Sequence, residues 1–430
     1  MNTISDQRSE GAAGTGPIES VDALLGQLRG RGEIGRLLEP TPAEQLDRGY
    51  GHTLREICQQ PVTWRDTAAM LAEAPGALAS ALADVGINRR EGSLVLTGSG
   101  SSLYAAECLV FPLQEALRVP VCAAPAGVLL THPRGALPPS GCFLLVSLAR
   151  SGNSPESRAV VDLVLENAPR AHHLVITCNR DGALATAYRS VPSVRAVVLD
   201  EKTDDRSLVM TSSFTNLVLA GLALGELERL DTYVARTGGL ARAAASVLRR
   251  SADALAGASR RDCGSVVYLG SGCRLGAARE AALKMLEMTD GRVSTLPESF
   301  LGLRHGPMSA LHDDTLVVAF LSCAPVARAY ELDLLRELDR KQLGARRIVV
   351  GSRIPKEAAP GPDDVIVDCE AEESLTDADL ALVDVLVGQL LAFFRCLHVG
   401  LRPDAPSANG VISRVVDTFE IHAGPGGCRP

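Results

Sequence analysis

The chain has 430 residues, of which 46% are hydrophobic, enough for a sizeable core and for two domains of ordinary size. A formal net charge of −8 gives no general attraction for nucleic acid, and no local basic patch offsets it, so an anionic ligand must be gripped by specific residues. No apolar run is suited to spanning a bilayer and the first residues carry no hydrophobic signal core, which excludes a secreted or membrane-spanning reading and predicts a soluble, cytoplasmic protein.

The N-terminal stretch 1–19 is polar and Gly-rich and is expected to be a disordered tail. From 20 to 90 the apolar spacing is helical, broken at Pro40, Pro42, Pro61 and Pro75, and predicts a helical lead-in. Short β-rich runs then alternate with helices: SLVLTGSG, CFLLVSLARSG, HLVITCNR and VRAVVLD, followed by a helical stretch over 211–256. The pattern restarts with SVVYLGSGCRLG, TLVVAFLS, RRIVVGS and VIVDC, ending in a helix over 376–397. Such alternation predicts α/β units with parallel sheets flanked by helices. LTGSGSSLYAAE and YLGSGCRLGAARE share one plan, which implies an internal duplication: a first unit over 91–240, a second over 241–400 and a C-terminal tail over 401–430. The eleven cysteines are scattered without a C-x-x-C pair, as expected of free thiols in a reducing compartment rather than metal ligands.

Four elements carry possible chemistry. In GSGSS, Gly98 and Gly100 relax the backbone at a strand-to-helix turn while Ser101 and Ser102 set hydroxyls beside a helix N-terminus, a combination suited to an anion. In ARSGNSPES, Arg150, Ser151 and Ser154 stand at a second such turn, with Pro155 at a first helical position; Ser154 could equally cap that helix. Two such turns at the carboxyl ends of strands in one sheet suggest a phosphate cradle. On the helix ALKMLEMT, Lys284 and Glu287 are three apart and share a face, which is either a solvated ion pair or a lysine and proton-shuttling carboxylate. Finally, RHGP holds His305 in a turn fixed by Pro307.

At these residues the sequence resembles the sugar isomerase (SIS) domain family. The elements GSGSS, ARSGNSPES, ALKMLEMT and RHGP occur in its order, as do HTLREICQQPVTW at 52–64, DDRSLVMTSSFT at 204–215 and LRPDAPSANGVISRVV near the end. The combination is most similar to the tandem-SIS branch of galactosamine-6-phosphate deaminase/isomerases and tagatose-6-phosphate ketose/aldose isomerases, the AgaS type, over about 45–416. By resemblance to the isomerase half of glucosamine-6-phosphate synthase, Gly100, Ser101, Ser102, Ser151 and Ser154 bind phosphate, with Arg150 and Arg414 in the same substrate site. Glu287 moves a proton between C1 and C2, Lys284 assists it, and His305 opens the sugar ring from the neighbouring subunit. The resemblance thus implies a homodimer with shared active sites, a C-terminal tail that contributes to them, and no metal or cofactor.

The chain departs from the synthase at Arg150, which replaces a glutamine, at Ala149, which replaces a serine, and at Arg414, the nearest counterpart of an imine-forming lysine. An arginine is too basic for imine chemistry, and no N-terminal glutaminase domain or Cys at position 2 is present, so glutamine-fuelled synthesis is not expected. The expected reaction is isomerisation and deamination of a 2-amino-2-deoxyhexose 6-phosphate, galactosamine 6-phosphate first, to tagatose 6-phosphate and ammonia. Alternatives are a plain aldose/ketose isomerase, the reverse amination in amino-sugar synthesis, and a non-catalytic phosphosugar-binding regulator.

Overall fold

The computed structural model describes residues 20–139, 141–407, 409–417 and 419–422; the tail at 1–19 and Cys428 lie outside the described residues. Six helices form the lead-in: α1 (Val21–Leu28), α2 (Gly32–Leu38), α3 (Pro42–Asp47), α4 (Gly51–Cys58), α5 (Gln60–Glu73) and α6 (Gly76–Asp84). Pro42 opens α3, where a missing amide costs nothing, and Thr41 and Glu44 close a reciprocal capping box. The chain then runs through β1 (Ser93–Gly98), α7 (Ser101–Leu117), β2 (Val121–Pro125), α8 (Ala126–Thr131), α9 (Pro133–Ala136), β3 (Phe143–Ala149), α10 (Pro155–Asn167), β4 (Ala171–Thr177), α11 (Ala183–Thr186) and β5 (Val194–Val198). Three connecting helices follow, the wholly buried α12 (Ser212–Leu222) and the half-exposed α13 (Leu230–Arg250) and α14 (Ala252–Arg260); position 240 falls inside α13.

The second unit comprises β6 (Ser265–Gly270), α15 (Arg274–Met288), β7 (Ser294–Ser299), α16 (Phe300–Leu303), β8 (Thr315–Phe320), α17 (Pro325–Lys341), β9 (Arg346–Gly351), β10 (Val365–Asp368) and α18 (Asp377–His398). Both sheets are parallel throughout, ordered β2-β1-β3-β4-β5 and β10-β9-β8-β6-β7. Numbered from its own first strand, each sheet has the order 2-1-3-4-5, so the duplication read from the Gly-Ser turns extends to the topology. In both units the strand order reverses between the first and third strands, and it is outside the carboxyl ends at such a reversal that open α/β sheets bind ligands.

Two sequence expectations need amending. β2 and β7 were not anticipated: VCAAP runs without a polar break into the apolar start of α8, and STLPES is largely polar and holds a proline. Pro297 is tolerated in β7 because an edge strand has a free side for a residue without an amide hydrogen. The stretch 211–256 resolves into three helices reaching Arg260 rather than one.

The units meet through their equivalent helices α7 and α15. Their approach depends on Gly276: a Cβ there would stand 2.9 Å from the Cys108 amide nitrogen and 3.0 Å from the Tyr104 carbonyl. The lead-in is bound to both units by a buried polar network. Trp64 Nε1 donates to Thr215 Oγ1 at 2.8 Å, and Gln60 Nε2 donates to Gln389 Oε1 on α18 at 2.8 Å. Among the described residues α18 alone is long and apolar enough to cross a bilayer, yet 94% of its apolar window is buried within the molecule, so it is a core helix.

Candidate active site

The first Gly-Ser turn links β1 to α7 with Gly100 at φ +56° and ψ −127°, a conformation that a side chain would strain. This tight reversal places Ser101 and Ser102 in the first turn of α7, both 6% exposed. The second turn follows β3 and is held from the next strand: Asn179 Nδ2 donates to the Ser151 carbonyl at 3.0 Å, and Thr177 Oγ1 donates to the Arg150 carbonyl at 3.3 Å. Ser154 precedes Pro155, the first residue of α10, but its hydroxyl makes no capping hydrogen bond. The capping alternative is therefore not realised, and Ser154 keeps a hydroxyl for a ligand.

From the second unit, α15 brings Lys284 to this place. Its Nζ donates to Ser101 Oγ at 3.1 Å, forms a close ion pair with Glu287, and lies 3.3 Å from Glu280. Lys284 and Glu280 are fully buried, whereas the Glu287 side chain keeps 22% of its surface exposed. The pair is therefore not a solvated one. Burial opposes the charge on Lys284, but the carboxylates of Glu280 and Glu287 outweigh it and hold the ammonium above its ordinary range. Glu280 is pushed up to about 7 by burial, against the pull of Lys284. One cation thus stands between two carboxyl groups, one fully buried and one partly exposed.

Glu280 stands out in the sequence as a polar residue of this helix, but no role was assigned to it there. The signal was present as polar residues at 280, 284 and 287 interleaved with Ala281, Leu283, Met285 and Leu286, which is one helical face beside apolar neighbours.

Arg150 and Arg414 have different surroundings from those expected of ligand contacts. Arg150 is 7% exposed, and its Nη atoms donate to the carbonyls of Ser207, Leu208 and Arg414 at 3.3, 2.9 and 2.5 Å. Arg414 pairs with Asp204 at 2.5 Å and donates to the Asp205 carbonyl at 2.8 Å, so the C-terminal segment folds back onto the wall of the second turn. His305 lies exposed after α16, and among the described residues no hydrogen bond or ion pair joins it to Lys284 or Glu287. A cavity of about 1220 Å³ opens beside the site between α1–α5 and the ends of β4 and β5. Glu56, Asp204, Arg206 and Arg414 line it, but neither the serines nor Lys284 and Glu287 do, so it neighbours the cluster rather than containing it. No group of three or more potential metal-ligating side chains occurs among the described residues.

No family model matches the chain. It is, however, 34% identical over 371 residues to D-galactosamine-6-phosphate deaminase AgaS of Escherichia coli, covering 86% of this chain and 95% of the relative. A Streptomyces coelicolor relative provisionally given the same name is 39% identical over 384 residues, covering 88% and 97%. The crystal structure of tagatose-6-phosphate ketose/aldose isomerase from Escherichia coli superimposes with a TM-score of 0.78 at 33% identity, covering 86% of this chain and 96% of that one. The C-terminal domain of glucosamine-fructose-6-phosphate aminotransferase from Francisella tularensis shares the fold, with a TM-score of 0.67 at 17% identity over 82% of this chain and 98% of that domain. The chain therefore belongs to the AgaS-type family of galactosamine-6-phosphate deaminases and tagatose-6-phosphate ketose/aldose isomerases, phosphosugar enzymes of tandem SIS architecture.

Proposed function

We propose that this enzyme isomerises and deaminates a 2-amino-2-deoxyhexose 6-phosphate, with galactosamine 6-phosphate as the preferred substrate. The observation that carries this reading is the bond from Lys284 to Ser101. It joins the proton-handling helix of one unit to the hydroxyl-rich turn of the other, at the strand reversal of the first sheet.

In this reading the phosphate sits on the hydroxyls of Ser101, Ser102, Ser151 and Ser154, and His305 of a second copy of the chain assists ring opening. Glu287 takes the proton from C2 of the open-chain aldehyde, and the electron pair moves to give an enolamine whose O1 is steadied by the Lys284 ammonium. Return of the proton to C1 leaves a ketimine at C2. Water adds to it and ammonia leaves, giving the ketose 6-phosphate. Arg150 and Arg414 act as the frame of the site. The names of the deaminase relatives support amino-sugar chemistry, and the isomerase structure supports the aldose/ketose step.

The test is to incubate the purified protein with galactosamine 6-phosphate and, separately, glucosamine 6-phosphate, then measure ammonia and ketose phosphate, with Glu287→Gln as control. Ammonia released from the galacto substrate and lost in the variant is the expected result. Ketose formed only from non-amino aldose phosphates would leave a plain isomerase, and tight phosphosugar binding without turnover would indicate a regulator.

A further inference from the structure

Two carboxyl groups outside the Lys284 cluster are buried where the lead-in meets the first unit. Glu56, on α4, is 6% exposed; its Oε1 accepts the Arg206 amide at 2.6 Å and the Ser207 amide at 3.2 Å. Its Oε2 shares a short hydrogen bond with the Ser207 hydroxyl, which also lies 3.1 Å from the Val209 carbonyl. Asp205, 1% exposed, accepts the amides of Thr211 and Ser213 at 2.7 and 2.8 Å and the hydroxyls of Ser212 and Ser213. The two groups therefore mould opposite ends of one turn, 205–213.

That turn has a definite output. The carbonyls of Ser207 and Leu208 are the acceptors for Arg150 Nη1, and Arg150 opens the loop carrying Ser151 and Ser154. A hydroxyl has one hydrogen to give, and Ser207 Oγ faces two acceptors. Burial and the neighbouring Asp205 push Glu56 up to about 8, which favours a proton shared between its Oε2 and the Ser207 hydroxyl and leaves that hydroxyl able to serve the Val209 carbonyl as well. The Arg206 and Ser207 amides and the Ser207 hydroxyl are then all partnered, which holds this end of the turn in one conformation.

We propose that Glu56 is a positioning residue of the active site: from the lead-in it fixes the 205–208 turn whose carbonyls hold Arg150, and so sets the orientation of the 151–154 loop towards the phosphate of the substrate. This rests on the reading that the serine loop receives the phosphate. Nothing in the proposal requires Glu56 to touch the sugar.

The test compares kcat and KM for galactosamine 6-phosphate, inhibition by inorganic phosphate, and Tm in single and double variants. Glu56→Gln, which retains an acceptor for the two amides and a donor for Ser207, is expected to behave as the parent protein. Glu56→Leu leaves those amides unmatched and is expected to raise KM and the phosphate inhibition constant about tenfold, with kcat within about threefold. In an Arg150→Met background the same substitution should add nothing, because the link is already cut. An unchanged KM in Glu56→Leu, or an increase fully additive with Arg150→Met, would overturn the proposal. If Glu56→Leu does not fold, Ser207→Ala carries the same expectation at about threefold. An unchanged KM in Ser154→Ala with a raised KM in Glu56→Leu would remove the phosphate-loop reading and the proposal with it, a pattern distinct from failure at Glu56 alone.

Discussion

The two sheets offer the same crevice, and each fills it with different residues. Gly98 and Gly100 after β1 correspond to Gly270 and Gly272 after β6, so Ser102 of the first unit stands where Arg274 stands in the second. Arg274 is fully buried; its Nε and Nη2 donate to the two oxygens of Asp384 at 2.6 Å each, and Nη1 reaches the Leu321 carbonyl and Asp377. Burial alone would disfavour the guanidinium charge, but the Asp384 carboxylate outweighs it and keeps Arg274 cationic. Asp377 also accepts the Ser322 hydroxyl and the Cys323 amide, so the turn after β8 is tied into the same network. The second crevice thus contains an internal anion on α18 in the place where the first carries the buried hydroxyls of Ser101 and Ser102. The fold supplies the crevice twice, and at the equivalent position one copy has a short hydroxyl while the other has a guanidinium that reaches α18.

That contrast can be broken at four places. The largest effect is expected at the Lys284–Glu287 site: Glu287→Gln should lower kcat about 10²–10⁴-fold without lowering Tm, measured as ammonia and ketose 6-phosphate release. A kcat within threefold of the parent would show that the proton is carried by another group. At the Arg274–Asp384 site, Arg274→Ala leaves Asp384 buried without its cation and should cost about 3–5 kcal/mol in denaturant unfolding. Replacing both partners by apolar residues of similar volume should restore most of that loss.

The register of the sheets gives the third. Counting back from the equivalent glycines and across the strands, His173 on β4 occupies the position of Arg347 on β9. Arg347 is paired with Asp339, whereas neither ring nitrogen of His173 has a partner among the described residues. Burial, with a smaller contribution from His172, lowers His173 from 6.5 to about 4. The folded state therefore binds fewer protons than the unfolded chain as pH falls below 6.5, and stability is lost towards about pH 4. About 3 kcal/mol is expected from this group over that range, and His173→Leu should flatten the Tm profile there.

The smallest effect sharpens the comparison most directly. Ser154→Ala should raise KM for the sugar phosphate about tenfold, while Ser322→Ala, in the turn after β8 of the second crevice, should leave KM unchanged and lower only Tm. Equal changes in KM would mean that both crevices contact substrate.

Much of this was legible because it is written in local pattern. The restart of a β-rich run and a Gly-Ser turn at 265–276 reports the duplication, since the same tight strand-to-helix geometry demands the same small residues. The central strands declare themselves because both faces are covered and every position of β3 and β8 is buried. β2 and β7 did not: VCAAP merges with the apolar start of α8 and STLPES is largely polar, whereas the other edge strands, β5 and β10, keep the Val-rich runs VRAVV and VIVD. Within the site, Lys284 and Glu287 could be paired by helical spacing, and Glu280 belonged to the same face.

What the sequence by itself determined is the pair of α/β units, the serine turns and the helix bearing Lys284 and Glu287, all set by interactions within a few residues. Only the tertiary structure decided that Lys284 meets Ser101, 183 positions away in the chain, and that Arg274 closes on Asp384, 110 away. It also decided that Arg150 holds backbone carbonyls of the 207–208 turn and of Arg414. These depend on how α7, α15 and α18 pack, and a charged side chain takes its role from the partner that compensates its burial, which spacing along the chain does not specify.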